Sequence, residues 1–171
     1  MKKIYLLLLL MLSLNGMAQS NLVKGSKTIS LKYGGGKYSI FNYYQSDVNW
    51  CYREKLMLRG SLSYEKAIIE STALSVGRIN IDHGFNMFDL SDRFYFNAIA
   101  GGYFGFEASK SLRNPLSRRE FVFGAAAGLE ADVFLSRSLS LKVEFLQYYM
   151  QNSAVSPWFY TGTVGVSYVF N

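Results

Sequence analysis

The stretch EFVFGAAAGLEADVFLSR, residues 120–137, repeats with a period of two. Its odd positions from 121 to 133 are Phe121, Phe123, Ala125, Ala127, Leu129, Ala131 and Val133, all apolar. The even ones are Val122, Gly124, Ala126, Gly128, Glu130 and Asp132, small or charged. A helix would set Glu130 and Asp132 about 200° apart around its axis. A strand sets them on one face. Two glycines also disfavour a helix interior. The stretch is therefore a strand with one apolar face and one small, polar face.

The same alternation recurs. In SLSLKVEFLQYY, Leu139, Leu141, Val143 and Phe145 alternate with Ser138, Ser140, Lys142 and Glu144. In RFYFNAIAGGYFGFE, Phe94, Phe96, Ala98, Ala100, Gly102, Phe104 and Phe106 share one face. In WFYTGTVGVSYVFN, Trp158, Tyr160, Val164, Val166, Tyr168 and Phe170 do the same. Read this way, the chain predicts eight strands over about 26–34, 38–52, 56–69, 73–89, 93–107, 120–134, 138–150 and 158–170. Many exceed the five or six residues usual in soluble sheets. They match the nine to eleven residues of a tilted strand crossing a bilayer.

The start of the chain agrees. Lys2 and Lys3 precede an apolar run from Ile4 to Leu14 and then Gly16-Met17-Ala18. These are the three parts of a secretory signal peptide. The run is too short for a spanning helix. The expected division is a signal peptide at 1–18, a periplasmic segment at 19–25 and a barrel at 26–171. Removing Lys2 and Lys3 from the formal charge of +6 leaves +4. That excess does not argue for nucleic acid, and no direct nucleic-acid binding is expected. Cys51 is the only cysteine, so no internal disulfide can form.

An exported chain of long alternating strands, 16% aromatic, predicts an all-β fold: an eight-stranded antiparallel up-and-down transmembrane β-barrel in the outer membrane, with outer-membrane lipid as its surroundings. Tight joins at 53–55, 90–92 and 135–137 alternate with longer ones at 108–119 and 151–157. A soluble lipocalin-like barrel is the alternative. It would need the large aromatics inside and a surface of Gly, Ala, Ser and Thr, which is poor in the charges that soluble surfaces carry.

With the apolar face toward lipid, parity sends Lys32, Arg59, Glu65, Arg78, Asp82, Glu107, Glu130, Asp132, Lys142 and Glu144 inward. Eight strands leave an interior only wide enough for side chains. Unpaired charges there are costly, so the set reads as a lumen plug of ion pairs, with Lys142 the first-choice partner of Glu130 and Asp132. Catalysis or metal binding by the carboxylates is the competing reading. His83, the only histidine, has outward parity, and a zinc site usually wants His or Cys. No cofactor, metal or catalytic residue is assigned. Cys51 reads as an inert residue near a turn. The extracellular loop KSLRNPLSRR carries Lys110, Arg113, Arg118 and Arg119 without an acid. It suits lipopolysaccharide phosphates or an acidic partner, or simply solvent.

The block FVFGAAAGLEADVFLSRSLSLKVEFLQ resembles the C-terminal block of the TraO conjugal-transfer proteins of Bacteroidetes conjugative transposons. The residues that carry the resemblance are Phe121, Phe123, Gly124, Ala125, Gly128, Leu129, Glu130, Asp132, Phe134, Leu135, Ser136 and Gln147. The closing GVSYVFN resembles the family's final strand, although Asn171 follows the terminal aromatic. The resemblance implies a non-enzymatic outer-membrane component of a conjugative DNA-transfer apparatus, with other proteins of that apparatus as partners. A stand-alone barrel of the adhesion or stress-resistance type, acting through its outer loops, is the alternative.

Overall fold

The computed structural model describes residues 24–37, 39–69, 72–91, 93–111, 117–153 and 156–170. The expected signal peptide lies outside them, as does residue 113. Eight strands follow one another: β1 (Lys27–Gly36), β2 (Ser39–Arg53), β3 (Leu56–Ile69), β4 (Thr72–Ser91), β5 (Phe94–Ser111), β6 (Ser117–Phe134), β7 (Leu139–Gln151) and β8 (Trp158–Phe170). Each pairs antiparallel with the next, and β1 closes on β8 from Lys27↔Phe170 to Gly36↔Thr161. Closure leaves no strand edge along that seam.

Side chains alternate between two environments. In β4, Ile81 is 60% exposed and Asp82 is 1% exposed. The outer wall is apolar and the lumen holds the charges, the inverse of a water-soluble barrel. A wall carrying Leu31, Leu62, Ile81, Phe106, Phe121 and Val164 outward is far larger than the apolar patches of soluble monomers. Aromatic residues crowd the strand ends, with Tyr33 beside Tyr44 and Tyr149 beside Trp158 at one end and Phe88 stacked on Phe96 at the other.

Glycine at inward positions makes room for larger neighbours. Gly165 stands between Lys32 of β1 and Lys142 of β7. A Cβ there would come within 2.8 Å of the Lys32 Cα and Cγ. The outward Gly60, Gly77 and Gly162 face open space.

Two boundaries differ from expectation in a way that matters. The strands expected at 93–107 and 120–134 continue to Ser111 and begin at Ser117. The ladder runs on through Ala108↔Arg119, Ser109↔Arg118 and Lys110↔Ser117. Backbone hydrogen bonds need no apolar side chain, so pairing outlasts the hydrophobic pattern that marked the strand ends. β3 and β4 stay paired out to Ile69↔Thr72, so long outer loops do not alternate strictly with short turns.

Candidate functional site

The lumen is filled in layers. At the end where β1 begins and β8 ends, Tyr95, Phe134 and Val169 pack together. Space left near them, between Cys51, Phe134, Asp132 and Lys142, amounts to about 10 Å³, about one water. Above lies the main charge cluster.

Glu130 is fully buried at its centre. Its Oε1 accepts from Lys142 Nζ at 2.8 Å and its Oε2 from Lys32 Nζ at 2.7 Å. Lys142 also donates to Asp132 Oδ2 at 2.8 Å. Lys32 reaches Glu144 at 2.7 Å and Asp47 at 3.2 Å. Arg59 donates to Asp82 Oδ2 through Nε (2.9 Å) and Nη2 (2.8 Å) and pairs with Glu144 through Nη1. Five carboxylates here face three cations, and the acid excess draws neutral donors as well: Ser140 Oγ donates to Asp132 Oδ1 at 3.1 Å, and Asn49 Nδ2 to Asp47 Oδ2 at 3.1 Å.

Register explains the cluster. Glu130 faces Glu144, and Asp132 faces Lys142, on β6 and β7. Arg59 faces Asp82 on β3 and β4. Lys32 reaches past Gly165 of β8, over which its stem lies, to Glu144 of β7 and Glu130 of β6. The repulsion of Glu130 and Glu144 as direct neighbours is relieved by Lys32, which holds Oε2 of both.

Toward the other end the lumen becomes aromatic. Arg78 lies 5.2 Å from the Tyr148 ring centroid and 4.6 Å from that of Phe159, and its Nη2 donates to Glu65 Oε2 at 3.2 Å. Stacking on ring faces suits a guanidinium, which is weakly hydrated. Tyr43, Tyr148 and Phe159 are buried with it. At the mouth, Ser153 Oγ donates to Glu107 Oε2 at 2.8 Å.

All ten residues that the sequence analysis sends inward are thus buried, and nine of them take part in the ion pairs just described. Glu107, the tenth, lies at the mouth, and Arg78 with Glu65 sits higher than the rest. Sequence reasoning missed Asp47, which is 1% exposed and contacts Lys32. A signal for it exists: Tyr44, Val48 and Trp50 share the outward face of β2, so Asp47 points in. The inward aromatic layer was also missed, because aromatics occupy both faces of β7 and β8.

Lys110, Arg118 and Arg119 do not lie together on a loop. They lie on β5 and β6, where parity separates them. Lys110 and Arg119 are exposed on the outer face. Arg118 is on the opposite face at the lumen mouth, paired with Glu120. Arg113 lies outside the described residues.

His83 is exposed on the outer wall, edge-on to the Tyr52 ring at 6.3 Å. Cys51 is buried, with Sγ 3.3 Å from Arg53 O. Among the described residues no group of three or more His, Cys, Asp or Glu is disposed to hold a metal ion. The lumen carboxylates are turned onto ammonium and guanidinium groups instead.

No family model matches the chain, and no curated protein matches it in sequence. Solved structures do match in shape. The N-terminal β-barrel domain of OprF from Pseudomonas aeruginosa superposes with a TM-score of 0.69 at 12% identity, covering 86% of this chain and 98% of that one. A major outer membrane protein from Thermus thermophilus gives 0.67 at 11% identity, covering 86% and 100%. Ail, the attachment invasion locus protein of Yersinia pestis, gives 0.61 at 13% identity, covering 86% and 100%. At such identities the likeness is one of fold alone: this chain has the closed eight-stranded architecture of small outer-membrane barrels.

Proposed function

We propose that the protein is a non-enzymatic, non-conducting outer-membrane barrel that serves as an envelope-anchored component of a conjugative DNA-transfer apparatus. The observation that carries the non-conducting part is the lumen charge cluster, in which Arg59 of β3 meets Glu144 of β7 from the opposite side of the barrel while Lys32 and Lys142 hold Glu130 beside them. Eight strands leave no channel beyond the side chains that fill them. The outward apolar wall supports residence in a bilayer. With the lumen closed, function falls to the outer wall and the two ends.

The conjugation role is supported by the TraO resemblance. Its residues have structural work in this barrel: Gly128 lies under Leu146, Glu130 centres the charge cluster, and Ser136 Oγ accepts from Leu139 N at 3.1 Å in the β6–β7 turn. They support family membership through the barrel they build, and they name no partner surface. The test is deletion of the gene in a mating-competent donor. Transfer frequency should fall and be restored by the full-length gene in trans. Unchanged transfer, with the protein absent from the outer membrane, would reject the conjugation role and leave the barrel intact.

A stand-alone adhesion barrel is the second reading. It is favoured by the β5–β6 ladder, which continues to Lys110↔Ser117, whereas β6 pairs with β7 only from Phe123↔Gln151. Cell-binding by the deletion strain distinguishes the two.

A further inference from the structure

We propose that Lys66, Lys110 and Arg119 form a seat for a phosphorylated lipid headgroup on the outer wall, at the end away from Lys27 and Phe170. The inference rests on the outer-membrane reading above and adds a ligand class to it.

Parity carries the first part. Lys66 of β3, Ser75 of β4, Ala108 of β5 and Arg119 of β6 are consecutive cross-strand partners. All four therefore point to the same side of the sheet, the outer one. Lys110 shares that face, two residues along from Ala108. Strand spacing of about 4.8 Å puts Lys66 and Arg119 roughly 14 Å apart. Between them Ser75 and Ala108 are small. The arrangement is a shallow seat with one cation on one side and two on the other.

The second part is segregation of sign. Glu65, Glu107 and Glu120 are close in sequence to these cations but have the opposite parity. Glu65 and Glu107 are buried in the lumen, and Glu120 pairs with Arg118 at its mouth. Among the described residues no acid lies on the outer face of this rim (Glu70 is outside them). At the opposite end the exposed charges are of both signs, Glu54 and Asp89 as well as Lys27 and Lys55.

The third part is what lies beneath. Two residues toward the barrel middle on the same face are Tyr64, Gly77, Phe106 and Phe121, again consecutive partners. Gly77 has open space where a Cβ would stand, so a smooth track runs between Tyr64 and Phe106. Lys66 Nζ sits 5.9 Å from the Tyr64 ring centroid. Aromatic residues sit at headgroup depth, so cations one step, about 6.6 Å, further out reach the phosphate layer. A phosphate in the seat and an acyl chain along the Gly77 track are the two halves of one lipid molecule. A soluble acidic protein would have no use for the track.

The test uses the full chain, folded in phosphatidylcholine vesicles containing a few per cent of labelled diphosphoryl lipid A. The readout is labelled lipid retained after detergent extraction and its apparent affinity. The variant K66Q/K110Q/R119Q should fold equally well, with the same heat-modifiable migration, and lose affinity by roughly fivefold per charge, about 100-fold in all. R118Q, which alters a cation of the lumen mouth, should retain lipid like the wild type. Dephosphorylated lipid A should be retained no better by the wild type than by the triple variant. Equal retention by the triple variant, or an equal loss in R118Q, overturns the proposal. So does a soluble sulfated polysaccharide that binds as tightly as the lipid and shows the same loss in the triple variant. Failure of the wild type to insert and fold overturns the membrane reading, and the proposal with it.

Discussion

Glu130 shows how much a single parity assignment decides. Read on a helix it is a misplaced acid. On β6 it is the residue that two lysines share, fully removed from water. Removing one member of a buried ion cluster leaves its partners uncompensated, at a cost of about 3–5 kcal/mol. Lys32→Ala, which takes the shared cation from Glu130, Glu144 and Asp47 in a cluster already in acid excess, should therefore lower unfolding free energy by that order, measured by urea titration in vesicles through Trp50 and Trp158 fluorescence. A change under about 1 kcal/mol would show that the cluster is not structurally engaged. Gly165→Val tests the same cluster sterically. Its Cβ meets the Leu31 carbonyl oxygen first and then the Lys32 Cα and Cγ at 2.8 Å, and overpacking of this kind costs about 1–3 kcal/mol. Lys66→Gln, on the exposed face, should stay within about 0.5 kcal/mol of wild type in neutral vesicles. Legibility at this scale follows face contrast. Lys142, Glu130 and Asp132 are readable because β6 and β7 have clean apolar faces. Asp47 is less plain, because Tyr43 and Tyr44 stand on opposite faces of β2 and blur its period, and only Tyr44, Val48 and Trp50 taken together set it inward.

Among elements, the turns and the β5–β6 hairpin carry the least obvious information. Lys55 adopts φ 61° in the β2–β3 turn, where a side chain is disfavoured by about 1–2 kcal/mol and glycine is not. The register shift between Cys51 and Arg53 marks the same place. Lys55→Gly should raise stability by up to about 1 kcal/mol, read from the same urea titration. A loss of stability would mean that the Lys55 side chain contributes more than the backbone strain costs. The β5–β6 hairpin teaches the opposite lesson about sequence. Its hydrophobic pattern stops near Glu107, yet its ladder continues to Lys110↔Ser117. A strand pattern reports which side chains meet lipid, and it falls silent where both faces are wet. The basic loop expected at 108–119 comes from that silence, and the continued pairing splits Arg118 from Lys110 and Arg119.

At the scale of the whole molecule, the barrel is inverted, with an apolar wall outside and charges inside. The purified protein should migrate differently with and without heating, and planar bilayers containing it should show no porin-sized conductance. Steady openings of that size would mean that the Lys32–Glu130–Lys142 cluster does not close the lumen. Strand count, antiparallel order and most of the inward charges, Asp47 excepted, are legible in the chain before it folds. Side-chain alternation is a local property of an extended chain, and eight apolar stripes have only one way to share a bilayer. Which inward charges meet is settled by the assembled barrel. Lys32 and Glu130 are 98 residues apart, and their contact depends on closure of β1 onto β8 and on the space left by Gly165. The one-sided basic rim likewise emerges only on folding, since it depends on how far the ladder runs after the hydrophobic pattern ends.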